Sequence, residues 1–98
     1  MKKTLIHIIP TLENGGAETV LTRLVEEFSK DSVEQIVISL QGNETDFNHN
    51  KISSFCRLIH ARKEFQSVKE VFQQYPEAKV LAWMYKGIFK AHLWKVKY

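Results

Sequence analysis

Chemistry in this chain of 98 residues would have to begin at Gly15 and Gly16, an adjacent pair set directly before a segment of helical periodicity. Backbone without a Cβ at a helix start can approach a phosphate closely, offering it amide donors and the positive end of the helix dipole. The same pair also fits a plain tight turn, where glycines permit backbone angles that other residues avoid. Spacing alone leaves both readings open, because it is neither G-x-G-x-x-G nor a P-loop followed by Lys and Ser or Thr.

Other reactive side chains read as structural. His7 and His60 fall inside apolar runs and are expected as packed, satisfied imidazoles; no paired ligand spacing accompanies them, so no metal is expected. His49 is expected on a loop surface. Cys56 is the sole cysteine, which excludes an internal disulfide and a multi-cysteine metal site and suits a small buried hydrophobe within a strand. Glu18 and Glu26 are eight residues apart on one helix and read as its solvated face. Asn43-Glu44-Thr45 matches a glycosylation sequon, without meaning in a chain expected to be cytoplasmic. No nucleophile elbow and no Ser-His-Asp set supports hydrolysis.

The elements that must position the glycines follow from hydrophobic period. Leu5 to Ile9 is a nearly continuous apolar run, as expected of a strand covered on both faces, and Pro10 ends it. Ala17, Val20, Leu21, Leu24, Val25 and Phe28 recur at helical offsets, with Glu18 early and Lys30 late, both suited to the dipole. Gln35 to Leu40 is a second strand. Residues 41–51 are polar and aperiodic, predicting a surface loop and the region most tolerant of change. Phe55 to His60 is a weaker strand. Phe65, Val68, Val71, Phe72 and Tyr75 mark a second helix, stopped by Pro76. Val80 to Trp83 is a fourth strand, and Gly87 to Val96 a third helix. The alternation predicts an α/β fold, a three-layer Rossmann-like doubly wound parallel sheet of order 3-2-1-4. Its ligand crevice would lie outside the carboxyl ends of the strands, between loops 10–16 and 83–87.

Composition narrows the function classes. A hydrophobic fraction of 44% is that of a globular chain, and no apolar run is long enough to span a bilayer or carries a cleavage site. Residues 86–98 hold Lys86, Lys90, Lys95 and Lys97 and no acid, so of the net charge of +3 the tail carries +4 and the rest of the chain −1. Basicity confined to a tail argues against a nucleic-acid partner. Phe89, Leu93 and Trp94 between those lysines suit either an anionic membrane surface, giving peripheral contact with its inner face, or a helix packed on the sheet.

Leu5-Ile6-His7-Ile8-Ile9-Pro10-Thr11-Leu12, then Gly15-Gly16-Ala17-Glu18-Thr19-Val20-Leu21, with Leu24-Val25 and Phe28-Ser29, resembles the start of retaining glycosyltransferases of family 4, where H-I-I-P leads into G-G-A-E and a helix. Val80-Leu81-Ala82-Trp83-Met84-Tyr85-Lys86 is similar to the segment closing their fourth strand, although Lys86 stands where His is frequent and Ile88 where a polar residue is common. The resemblance implies part of the acceptor-side, N-terminal domain of a GT-B fold over residues 1–98, without the donor-binding domain and its E-x7-E motif. It implies transfer of a sugar from a nucleotide-diphosphate sugar, the donor substrate rather than a cofactor, to a glycan or lipid-linked acceptor in cell-envelope polysaccharide biosynthesis. Gly15, Gly16 and Ala17 match the donor-diphosphate loop; Trp83, Tyr85 and Lys86 match the acceptor cleft. These residues alone are expected to be inactive, because preorganised contacts from both sides of the cleft are needed. Unpaired Val80 and Leu81 at the sheet edge invite self-association. A free-standing α/β module binding a phosphate ligand or a partner, and a membrane-surface adaptor using the lysine tail, are the competing expectations.

Overall fold

The computed structural model describes residues 3–13 and 15–83. Four strands, β1 (Lys3–Ile9), β2 (Val33–Ser39), β3 (Arg57–His60) and β4 (Lys79–Ala82), form one sheet in the order β3-β2-β1-β4. Every pairing is parallel. The expected order is therefore found, with β1 inside the sheet between β2 and β4, as its continuous apolar run requires.

Three helices connect the strands: α1 (Gly16–Phe28), α2 (His49–Ser53) and α3 (Phe65–Gln74). Alternation along the strands divides the core in two. Ile6, Ile8, Ile36, Ile38 and Ile59 face α3 through its Val68, Val71 and Phe72, the i, i+3, i+4 stripe of an amphipathic helix. On the opposite face Ile9 and Val37 meet Leu21 and Val25 of α1 and Ile52 of α2. Helices thus cover both faces, as right-handed crossovers running both ways from β1 dictate. No helix among the described residues is long and apolar enough to cross a membrane.

Several expectations are corrected. Residues 41–51 are not a featureless loop: their end folds into α2, and Gly42 and Asn48 are buried within the stretch read as most tolerant. The buried stripe of α1 is Leu21, Thr22 and Val25, while Val20 is 55% exposed. Thr22 is admitted because its hydroxyl donates to the Glu18 carbonyl at 2.8 Å. Lys30 lies beyond α1 and pairs with exposed Glu27 at 3.2 Å; such a surface pair contributes little. β3 is shorter than expected, leaving Phe55 and Cys56 in the turn after α2, where the half-buried Cys56 thiol lies 3.7 Å from the Ile52 carbonyl. The helix expected over 87–96 lies outside the described residues, as do Lys90, Lys95 and Lys97.

Candidate functional site at the carboxyl edge of the sheet

At the end of β1 the chain is handed to the neighbouring strand's exit, Leu40 N–H donating to the Ile9 carbonyl at 2.9 Å and Gln41 N–H to the Pro10 carbonyl at 2.7 Å. Leu12 then turns inward and is fully buried beside Leu21, Val25 and Ile52. The segment 43–48 clips it there. Asp46 accepts the Leu12 N–H at 3.1 Å. Asn48 donates its backbone N–H to the Leu12 carbonyl at 2.9 Å, and its amide to the Leu12 and Glu13 carbonyls at 3.2 and 3.1 Å. Only the apolar Leu12 hinted at this anchoring in the sequence; Asp46 and Asn48, read there as plain loop residues, do most of the holding.

Gly15 caps α1 with extended backbone, φ −140° and ψ 177°, and without a side-chain hydrogen bond. No described glycine adopts the positive φ that favours glycine, so of the two readings the spacing left open, a turn needing unusual backbone angles is not found. What the pair provides is space: a Cβ at Gly16 would meet nothing, whereas one at Gly15 would meet the Glu18 carboxylate at 2.8 Å. The first-turn amides of α1 have no intrahelical acceptor, so the helix start is open to an anion beside Gly16. On the Gly15 side, Glu18 folds back over the loop and accepts the Thr11 hydroxyl at 3.4 Å. Glu18 sits three residues after the cap, the capping-box position, and that spacing is the signal for its return toward the loop. Any diphosphate must share the loop with this acid, whereas a hydroxyl-bearing ligand would find in it an acceptor. Glu26, the other acid of the pair, turns away and lies 3.6 Å from Lys51.

Trp83 leaves the end of β4 beside β1, its N–H donating to the Ile8 carbonyl at 2.8 Å. Its indole Nε1–H donates to His7 Nδ1 at 3.3 Å, and the ring packs on the cluster that contains Leu12. Because indole is donor-only, His7 Nδ1 carries no hydrogen and Nε2–H donates to Gln35 Oε1 at 3.0 Å. The Gln35 amide donates onward to the Val25 carbonyl at 3.0 Å. Both His7 nitrogens are thus satisfied, as expected, and burial, only partly opposed by the Gln35 hydrogen bond, holds the imidazole below its usual pKa. This relay ties β4, β1, β2 and α1 together beneath the edge. Gly15, Gly16, Ala17 and Trp83 accordingly stand at the same edge of the sheet, on the exits of adjacent strands; Tyr85 and Lys86 lie outside the described residues.

His60 departs from the satisfied reading and His49 from the surface one. His49 opens α2, half-buried, with its Nδ1 2.9 Å from His60 Nε2, while the buried His60 Nδ1 has no partner among the described residues. Among the described residues no three His, Cys, Asp or Glu side chains are grouped to hold a metal. An open cleft of about 510 Å³ lies beyond β2 and β3, lined by Gly42, Asn43, Glu44, Thr45, Arg62 and Lys63. Gly42 is critical to this corner, because a Cβ would collide with the Ser39 hydroxyl and the Asp46 carboxylate. Gly42→Ala is therefore expected to cost about 1–2 kcal/mol through overpacking and to expose the Leu12 amide, a change that hydrogen exchange reads directly.

Compared with family models, curated proteins and solved structures, the chain matches none.

Proposed function

We propose that the chain is the acceptor-side part of a nucleotide-sugar-dependent glycosyltransferase, acting jointly with a donor-binding domain supplied outside these residues. The observation that carries this reading is the sharing of one sheet edge by the glycine-opened start of α1 and the Trp83 end of β4, at the point where strand order reverses on either side of β1. Open-sheet α/β proteins place ligands at that position. In this reading Gly16 leaves room for the donor diphosphate at the helix start, whose amides offset leaving-group charge as the glycosidic bond to phosphate breaks. Glu18 and Thr11 supply oxygen partners for sugar or acceptor hydroxyls. Trp83, pinned by His7, forms a rigid apolar wall of the acceptor cleft.

Titration of the purified chain with nucleoside diphosphates, followed by amide chemical shifts, tests the proposal. Affinity is expected in the millimolar range, roughly −4 kcal/mol, with the largest shifts at Gly15, Gly16 and Ala17. Gly16→Val should weaken it ~tenfold while changing stability by less than about 0.5 kcal/mol, since its Cβ meets no neighbour. Shifts elsewhere on the molecule, or binding indifferent to valine at residue 16, would remove the basis for the reading. Micromolar binding by this chain alone would favour a free-standing phosphate-binding module instead.

A further inference from the structure

The His49–His60 contact does not follow from sugar transfer and is independent of it. His60 projects from the end of β3 and is 3% exposed; His49 approaches it from α2 with the rings nearly parallel, centroids 5.0 Å apart at 18°. Across the 2.9 Å between His49 Nδ1 and His60 Nε2 one nitrogen must donate and the other accept. The less costly arrangement places hydrogen on His60 Nε2, leaving its buried Nδ1 as a bare lone pair, because a buried N–H without an acceptor is the rarer and costlier orphan. His49 then accepts at Nδ1 and carries its own hydrogen on Nε2.

That arrangement has no room for another proton. A proton on His49 must take Nδ1, the lone pair that receives the His60 N–H. A proton on His60 must take Nδ1, which has no acceptor among the described residues. Reversing the bond so that His49 donates forces the His60 hydrogen onto the same buried, partnerless nitrogen. The residue before His49 is Asn48, and two before that stands Asp46; between them these hold the backbone of Leu12 and Glu13 ahead of the glycine pair.

We propose that the His49–His60 pair is a proton-operated latch on the glycine loop: it stays closed while both imidazoles are neutral, and acid releases segment 43–49 from Leu12 and Glu13. The charged surroundings of His60 bear on both sides of this balance. Burial first, then the neighbouring His49, lower its proton affinity, while Asp46 and Glu44 from the β2–α2 segment and Glu64 from the cap of α3 raise it, with a net lowering. Glu64 also accepts the His60 backbone N–H at 3.2 Å, so β3 keeps His60 in place while α2 moves.

A pH titration of the chain by nuclear magnetic resonance tests the latch. The His60 ring and the Leu12 and Glu13 amides are expected to share one midpoint, below that of a free imidazole at about 6.5, while the amides of Ile6 and Ile36 stay fixed. In His49→Gln, whose neutral side chain either donates or accepts, the pH-dependent shift of the Leu12 and Glu13 amides should shrink ~threefold or more. Titration of the His60 ring with those amides unmoved overturns the proposal, and so does an unchanged response in His49→Gln. Should that variant fail to fold, co-titration in the native sequence decides alone.

Discussion

Truncating His7 to alanine is expected to cost about 3–4 kcal/mol of stability, the sum of a buried ring's cavity and two hydrogen bonds. A domain of this size has a total margin of only about 5–15 kcal/mol, so a large part of it would be lost, visible as a fall in the urea midpoint. The physical content lies in separating volume from polarity. His7→Leu keeps most of the volume but leaves Gln35 Oε1 without its donor inside the core, since Gln35 is 5% exposed; about 2 kcal/mol is expected. Gln35→Leu strands His7 Nε2–H in turn, at about 1–3 kcal/mol. The Val25 carbonyl does not add to that loss, because the Ser29 N–H also reaches it at 3.0 Å. Replacing both polar groups by leucine removes the Gln35 and His7 orphans and leaves only the part-buried Trp83 N–H without its acceptor, so the double variant should cost less than the sum of its parts by about 1–2 kcal/mol. Additive costs would show that His7 and Gln35 are separate residents of the core and not links in one relay.

The relay also shows where the sequence is legible and where it is not. The covering of β1 on both faces and the positions of α1 and α3 follow from apolar period, and strand order from the resulting alternation with the crossover rule. That period is the outward sign of which face each residue buries. Gln35 reads in the same terms only as the first residue of an apolar run. Its partnership with His7 depends on register: Leu5 lies opposite Gln35 and His7 opposite Val37, which makes Gln35 and His7 diagonal neighbours on one face. A slip of one residue would put them on opposite faces, and nothing in the composition of either strand specifies that choice. The same holds for His49 and His60, which meet because a turn of α2 carries one of them back over the end of β3. Segment 41–51 misleads for a related reason. Polar, aperiodic sequence is common to free loops and to loops whose polar groups hold other backbone, and only tertiary hydrogen bonds such as those of Asp46 and Asn48 tell them apart. The glycine pair was legible as a helix opening, but its use was not, because whether a missing Cβ gives room or angle depends on Glu18 lying over Gly15.

Stability is expected to fall on both sides of neutrality, through two histidines on the acid side and one thiol on the alkaline side. His7 and His60 are both held neutral in the fold with lowered proton affinity, burial being the main cause in each. The unfolded chain binds protons at these residues near the ordinary value of about 6.5. Below that pH the unfolded state takes up protons that the fold refuses, so unfolding becomes progressively easier until the lowered folded values are passed. Within that window both histidines act in the same direction, each making stability fall as pH falls. Above about pH 7 neither contributes. On the alkaline side Cys56 acts with the opposite sign: burial pushes its thiol up to about 11, so the unfolded chain loses that proton first and stability declines from about pH 9 upward. Urea unfolding between about pH 5 and pH 10 should therefore trace a broad maximum around pH 7–8. The double leucine variant at His7 and Gln35 supplies the internal check. It removes one of the two acid-side histidines, so its slope below about pH 6.5 should be shallower than that of the native sequence. Stability that is flat or rising from about pH 7 to pH 5 would mean that these imidazoles accept protons in the fold as readily as in water, and that the neutral tautomers assigned to the relay and the latch are wrong.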